Sequence, residues 1–228
     1  MRKLLDYGLP VVALTLLVVG GYWGLFIAPT EREMGEVFRV SYVHVPAAWP
    51  ALIAFTVSLI ASVTYLMNGK WGADTLAEAS AEVGVFFSVL VLITGSVWGK
   101  PTWGVYWSWD PRLTTAAIMT FGFAGYLALR RFVDLPERRA VWSAVAAVII
   151  YVDIPLVWFS VKWWNSLHQL QSSPQTVAAE MVTPLRISAF AFLFAYFYFT
   201  RLRSTIGRRR LELELGELPE GSLAGGTR

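Results

Sequence analysis

The chain contains no cysteine. Disulfides, thiolate metal ligation and covalent thiol chemistry are therefore excluded. Histidine is almost as scarce, with two in 228 residues, His44 and His168. Charge is thin as well: 15% of residues are charged, against about 25% in a typical soluble domain. Hydrophobic residues make up 56% and the mean hydropathy is +0.52. So little polar surface cannot clothe a soluble core, and the composition points to the membrane class. The sequence carries no internal repeat, phosphate-binding loop or nucleophile elbow. What it has in excess is tryptophan, eleven residues of it. Trp and Tyr collect where a membrane meets water.

A helix crossing the hydrocarbon layer needs about 20 mostly apolar residues. Six segments qualify, near 8–28, 49–67, 82–98, 114–130, 140–160 and 185–200. The expected fold is all-α: a polytopic membrane bundle of six transmembrane helices with a small outward-facing tryptophan-rich segment. The first apolar run is too long for a signal peptide and has no small-x-small cleavage site after it, so it is taken as the first span. With the N-terminus inside, the inner side holds Arg2, Lys3, Lys70, Arg130, Arg131, Arg138, Arg139, Arg201, Arg203, Arg208, Arg209, Arg210 and Arg228. The outer loops hold Arg32, Arg39, Lys100, Arg112 and Lys162. The positive excess marks the cytoplasmic side and puts both termini there. The chain divides into a membrane domain, 1–200, with its tryptophan-rich outer loop at 99–113, and a cytoplasmic tail, 201–228. The basic cluster of the tail suits anionic headgroups, and its remainder reads as disordered or a short solvated helix.

On this topology the outer loops are 29–48, 99–113 and 161–184. They carry His44, the run Trp103-Gly104-Val105-Tyr106-Trp107-Ser108-Trp109-Asp110, and His168. An aromatic belt accounts for one or two such rings and not for Trp98, Trp103, Tyr106, Trp107 and Trp109 together. If the run is helical, Trp103, Trp107 and Asp110 share a face, Pro101 starts the helix and Asp110-Pro111 ends it. Asp110 then caps, pairs with Arg112, or orients an imidazole; the sequence does not choose. Pro46 and Pro50 limit helix before them and hold His44 at the mouth of the second span. Taken singly, each histidine reads as an interfacial residue bonded to a carbonyl or to lipid. Taken together, beside tryptophans and near helix mouths, two neutral imidazoles can fill both axial positions of a haem iron. The indoles would lie along the porphyrin. Lys100, Arg112, Lys162, Arg39 and Arg186 are the cations on that face for its propionates, though plain solvation accounts for most of them. Asp153, beside Pro155, is an ionisable group within a span. It reads first as a protonated or hydrogen-bonded side chain near the backbone that Pro155 frees.

The pattern Trp103-Gly104-x-x-Trp107-x-Trp109-Asp110 resembles the "WWD" signature of the haem-handling membrane proteins of cytochrome c biogenesis. Three flanking tracts resemble the CcmC family within that group. They are His44-Val45-Pro46-Ala47-Ala48-Trp49, Trp98-Gly99-Lys100-Pro101, and Phe159-Ser160-Val161-Lys162-Trp163-Trp164-Asn165-Ser166-Leu167-His168-Gln169. The resemblance runs from the first span to the sixth and leaves out the tail. Larger relatives that ligate haem to apocytochrome have more helices and further histidines, which this chain lacks. The chain departs from the pattern at Leu170-Gln171-Ser172 and at Asp153, where asparagine is expected.

What the resemblance implies is a haem-binding delivery protein, and not clearly an enzyme, in the bacterial cytoplasmic membrane. Haem b is its cargo, held on the outer face by His44 and His168 as axial ligands to iron. Trp103, Tyr106, Trp107, Trp109 and Asp110 would form the platform. The implied partners are a CcmE-like haem chaperone, a CcmD-like small subunit and a CcmA/CcmB-like ABC transporter, besides membrane lipid; nucleic acid is not among them. Two other classes stay open. A permease would need a polar path, for which Asp153, Ser88, Thr94 and Ser96 are the candidates. An assembly scaffold would use the tryptophan run as a docking patch and would not need the histidines.

Overall fold

The computed structural model describes residues 4–168 and 177–217. Among these residues no strand forms, and six helical stretches are long and apolar enough to cross a membrane. The first is α1 (Leu9–Tyr22), extended at both ends by π-helical turns. A 3-10 turn, Glu36–Val40, leads into α2 (Ser41–Asn68), which turns back tightly into α3 (Trp71–Trp103). Then come α4 (Pro111–Phe132), α5 (Pro136–Tyr151), α6 (Asp153–Trp163) and α7 (Ala179–Glu217). α5 and α6 are the two halves of one span.

α2 and α3 form the centre. They meet through small residues: Ala47, Ala51, Ala54 and Ser58 on α2, with Ala77, Ser80 and Ala81 on α3, are all buried. In lipid no hydrophobic force drives helices together, so close backbone approach and interhelical hydrogen bonds do that work. Both are present. Ser80 donates to the Ala54 carbonyl at 2.7 Å, and Ser58 donates to the Ala77 carbonyl at 3.0 Å. Phe55 of α2 stacks on Phe123 of α4, centroids 3.9 Å apart, at the heart of the bundle. α1 packs on α7 and leaves most of its apolar surface outward, as a lipid-facing helix does.

One end of the bundle is held by charge. Arg130 of α4 grips Asp74 of α3 through two bonds of 2.7 and 2.8 Å, and adds Glu78 at 3.0 Å. Arg203 of α7 binds Glu82, and Arg139 of α5 binds Glu214. The other end gathers the start of α2, the end of α3, the start of α4, the end of α6 and the start of α7.

Two sequence expectations change, and of the two readings of the tail the helical one describes residues 201–217. The second span begins well before residue 49: α2 runs from Ser41 straight through Pro46 and Pro50. A proline forfeits one backbone bond and kinks a helix but need not end it, and neighbouring helices tolerate this inside a membrane. The third span likewise runs through Pro101 to Trp103, so that proline starts no separate helix. From Arg201 onward the chain stays helical: α7 continues to Glu217, tied by Arg203–Glu82 and Arg139–Glu214. Residues 1–3 and 218–228 lie outside the described residues.

Candidate functional site

His44 sits on the first turns of α2, where Tyr42, Pro46 and Ala47 are also buried. His168 follows α6, in the segment after Trp163. These two side chains, distant along the chain, face each other with ring centres 6.4 Å apart and planes 31° from parallel. An imidazole nitrogen bonds a first-row metal at about 2.0 Å and lies roughly 1.1 Å from its ring centre, so two rings flanking one ion have centres about 6 Å apart. The observed spacing matches one ion between them. Among the described residues no three His, Asp or Glu converge on a common point. A metal held here by two protein ligands must bring its remaining ligands with it, as the iron of a macrocycle does.

The tautomer of His44 follows from its neighbour. Its Nδ1 lies 3.1 Å from the Thr94 hydroxyl oxygen on α3. That hydroxyl has one proton and donates it to the Leu90 carbonyl at 2.7 Å. With that proton engaged, the oxygen suits an acceptor role toward His44 Nδ1–H, and the Val91 carbonyl is a second backbone acceptor for the His44 ring. Nε2 then keeps its lone pair. A hydrogen bond at one ring nitrogen that fixes the other as ligand is the usual support of a coordinating imidazole. Gly95, next in sequence, makes room: a Cβ there would lie 3.0 Å from His44 Cε1. Trp98 closes the same side, edge-on to His44 at 5.6 Å.

The tryptophan run is not a helix, contrary to the amphipathic alternative. α3 ends at Trp103, and Gly104, at φ +82°, turns the chain in a left-handed conformation that side chains disfavour. Residues 104–110 then cross without helix to α4. Of the three roles open to Asp110, the cap is the one its hydrogen bonds show, and its charge also acts on the Arg112 side chain. It caps α4, accepting the Arg112 backbone N–H at 2.9 Å. It also accepts the Leu167 N–H at 2.6 Å and the Ser166 hydroxyl at 3.0 Å. Ser166 in turn accepts the His168 N–H at 3.0 Å. One buried carboxylate thus locks the segment bearing His168 onto the start of α4.

Below the histidines is a cavity of about 350 Å³, within the range of small-ligand sites. His44, His168, Trp103, Trp107 and Arg112 line it. Trp103 lies 6.0 Å from His168, centre to centre. Arg112 has a buried Nη1 with no hydrogen-bond partner. The other sequence candidates lie elsewhere. Trp109 is 82% exposed and stands edge-on to Trp107 at 5.9 Å; Tyr106 is exposed, with Lys100 Nζ 5.4 Å above its ring. Lys162 lies over Phe159, and Arg186 is exposed on α7. Arg39 is engaged in the fold, bonded to Glu36 and to the carbonyls of Gly24 (2.7 Å) and Ala28 (3.2 Å). Gln169, quoted with the His168 motif, lies outside the described residues. Trp158 and Met34 also line the cavity and carried no sequence signal; Leu167, quoted only within the His168 tract, lines it too. Thr94, counted only as a step in a polar path, holds His44 instead.

The family described as "CcmC: Heme exporter protein C" matches residues 2–215. Proteins named heme exporter protein C are similar over most of the chain. That of Bradyrhizobium diazoefficiens is 36% identical over 209 residues, covering 89% of this chain and 79% of its own. That of Escherichia coli (strain K12) is 36% identical over 189 residues, 81% of this chain and 76% of its own. That of Rhodobacter capsulatus is 34% identical over 217 residues, 92% and 89%.

Proposed function

The chain belongs to the heme exporter protein C family, and we propose that it binds haem b as cargo between His44 and His168 and passes it to a CcmE-like chaperone. The observation that carries this reading is the 6.4 Å spacing of the two imidazoles at the head of an apolar cavity. Nε2 of His44 is presented as a ligand by Thr94, and His168 is presented by the Asp110–Ser166 lock. Filling both axial positions keeps dioxygen and peroxide off the iron in transit. Trp103 and Trp107 give the ring apolar walls. The Arg112 guanidinium, whose buried Nη1 has no hydrogen-bond partner, suits a propionate, since Arg–carboxylate pairs are strong. Trp109 and Tyr106, exposed beside the cavity, suit a face that a partner covers during transfer.

The chain is a multi-pass membrane protein. The excess of Lys and Arg at the end opposite the histidines supports a cytoplasmic location for both termini and an outer-face location for the site. A CcmD-like subunit and a CcmA/CcmB-like transporter complete the proposed assembly. The test is an optical spectrum of the purified protein with haem. A bis-imidazole spectrum is expected, and each of His44→Ala and His168→Ala should abolish it. An unchanged spectrum in both variants defeats the assignment and favours a scaffold.

A further inference from the structure

The fifth span is broken, and the break shapes the cavity. Pro155 has no N–H for the Tyr151 carbonyl, and its ring crowds that same carbonyl. The helix is interrupted at Val152, three residues before the proline. Below the break α5 packs on both α2 and α4; above it α6 packs on α4. α6 thus parts from α2 as the pair rises toward the histidines, and the two helices are scarcely in contact.

Side chains fill the opening that results. Trp49 of α2 and Trp158 of α6 meet edge to face, with centroids 5.8 Å apart. Both line the cavity. Trp49 is also 45% exposed, so the same ring faces outward from a helix within a span. It lies five residues along α2 from His44, about 7 Å deeper at 1.5 Å per residue. The α2–α3 wall is built differently, from side chains packed directly on backbone: a Cβ on Gly84 would lie 2.7 Å from the Phe55 ring. Parting α2 from α3 needs a whole helix to move. Opening the α2–α6 seam needs only rotation of indole side chains.

We propose that this seam is a side door between the cavity and the lipid leaflet, and that a planar apolar ring bearing carboxylates passes through it. The inference rests on the haem reading for the identity of the passenger. Such a ring dissolves in the leaflet with its carboxylates at the interface. Sliding between Trp49 and Trp158, it meets the apolar interior at Leu52, Met119 and Val157, while Arg112 receives the carboxylate edge at the top. The ring need not leave lipid until the imidazoles take its iron.

The absence of native cysteine makes the test clean. The variant Trp49→Cys/Trp158→Cys is reconstituted in phosphatidylcholine vesicles and its thiols are joined by a short bis-maleimide. Haemin is supplied either dissolved in the vesicle lipid or on albumin in the water. Growth of the bis-imidazole absorption band is followed. Joining the thiols beforehand should slow loading from lipid at least tenfold against the unjoined variant. Joining them after loading should retain haem against an albumin chase. Separately, Trp49→Ala should speed exchange with lipid several-fold. Equal loading rates in joined and unjoined protein, or faster filling from albumin than from lipid in both, overturn the side door. So does unchanged exchange in Trp49→Ala, an arm that stands if the double variant does not fold. Failure of the haem reading looks different: no bis-imidazole band in the unsubstituted protein from either source.

Discussion

Replacing Thr94 by valine removes one hydroxyl and keeps the shape. In the native protein His44 Nδ1–H has its acceptor, and Nε2 faces the cavity as a ligand. In Thr94→Val the Nδ1–H tautomer loses the hydroxyl and keeps only the Val91 carbonyl beside it, at a cost of up to about 1–3 kcal/mol. The free protein escapes this by moving the proton to Nε2, where the cavity supplies water. Binding iron then requires the unfavourable tautomer, so the whole cost falls on the complex. An expense of about 1–3 kcal/mol corresponds to weakening of about 5- to 150-fold. Thr94→Ser keeps the acceptor and should stay close to the native affinity. The assay is titration with haemin followed at the bis-imidazole band, with thermal unfolding of the haem-free protein as a control on folding. A native affinity in Thr94→Val, with folding intact, would refute the relay. Equal weakening in the serine and valine variants would refute it as well, since only the valine lacks the acceptor.

Three further outcomes follow from the geometry. In Gly95→Ala the new methyl meets His44 Cε1 at 3.0 Å and must push the imidazole aside; haem affinity should fall with little change in melting temperature. Asp110→Ala removes three acceptor contacts, one of them a helix cap that is typically worth about 1 kcal/mol; His168 should be released, and the spectrum should change from six-coordinate to five-coordinate. Arg130→Met leaves Asp74 as an uncompensated buried charge, a loss of about 3–5 kcal/mol read by thermal unfolding, and Asp74→Leu added to it should restore much of that.

The span count was legible because hydropathy over 20 residues is a strong signal and no soluble alternative competes with it. The histidine pair stood out for a different reason, its scarcity beside tryptophans, while the 6.4 Å approach of the two rings is a product of the fold. Helix ends were not legible near proline. Pro46, Pro50 and Pro101 all sit inside helices, since tertiary contacts outweigh one lost backbone bond in a membrane bundle. The role of Asp110 was open because capping, pairing and ligand orientation all use the same carboxylate. The choice depended on where residues 166–168 fold back, which local sequence does not encode. Thr94 was invisible as a positioning group for the same reason, lying fifty residues from His44.

Pro155 joins these observations. As a local signal it predicts a bend and nothing more. Its consequence depends on what packs on each side of Val152: α5 holds both α2 and α4, α6 keeps α4 and parts from α2, and the cavity lies at that parting. If the break shapes the cavity, Pro155→Ala should let α5 and α6 run on as one helix along α2. The seam would narrow and Trp158 would lose its place opposite Trp49. The direct measure is the spacing of spin labels at Trp49→Cys and Trp158→Cys, recorded with and without Pro155→Ala. Shortening of that spacing together with slower haem loading is the expected pair of results. An unchanged spacing would mean that the bend is imposed by packing at α4 and that the proline merely tolerates it.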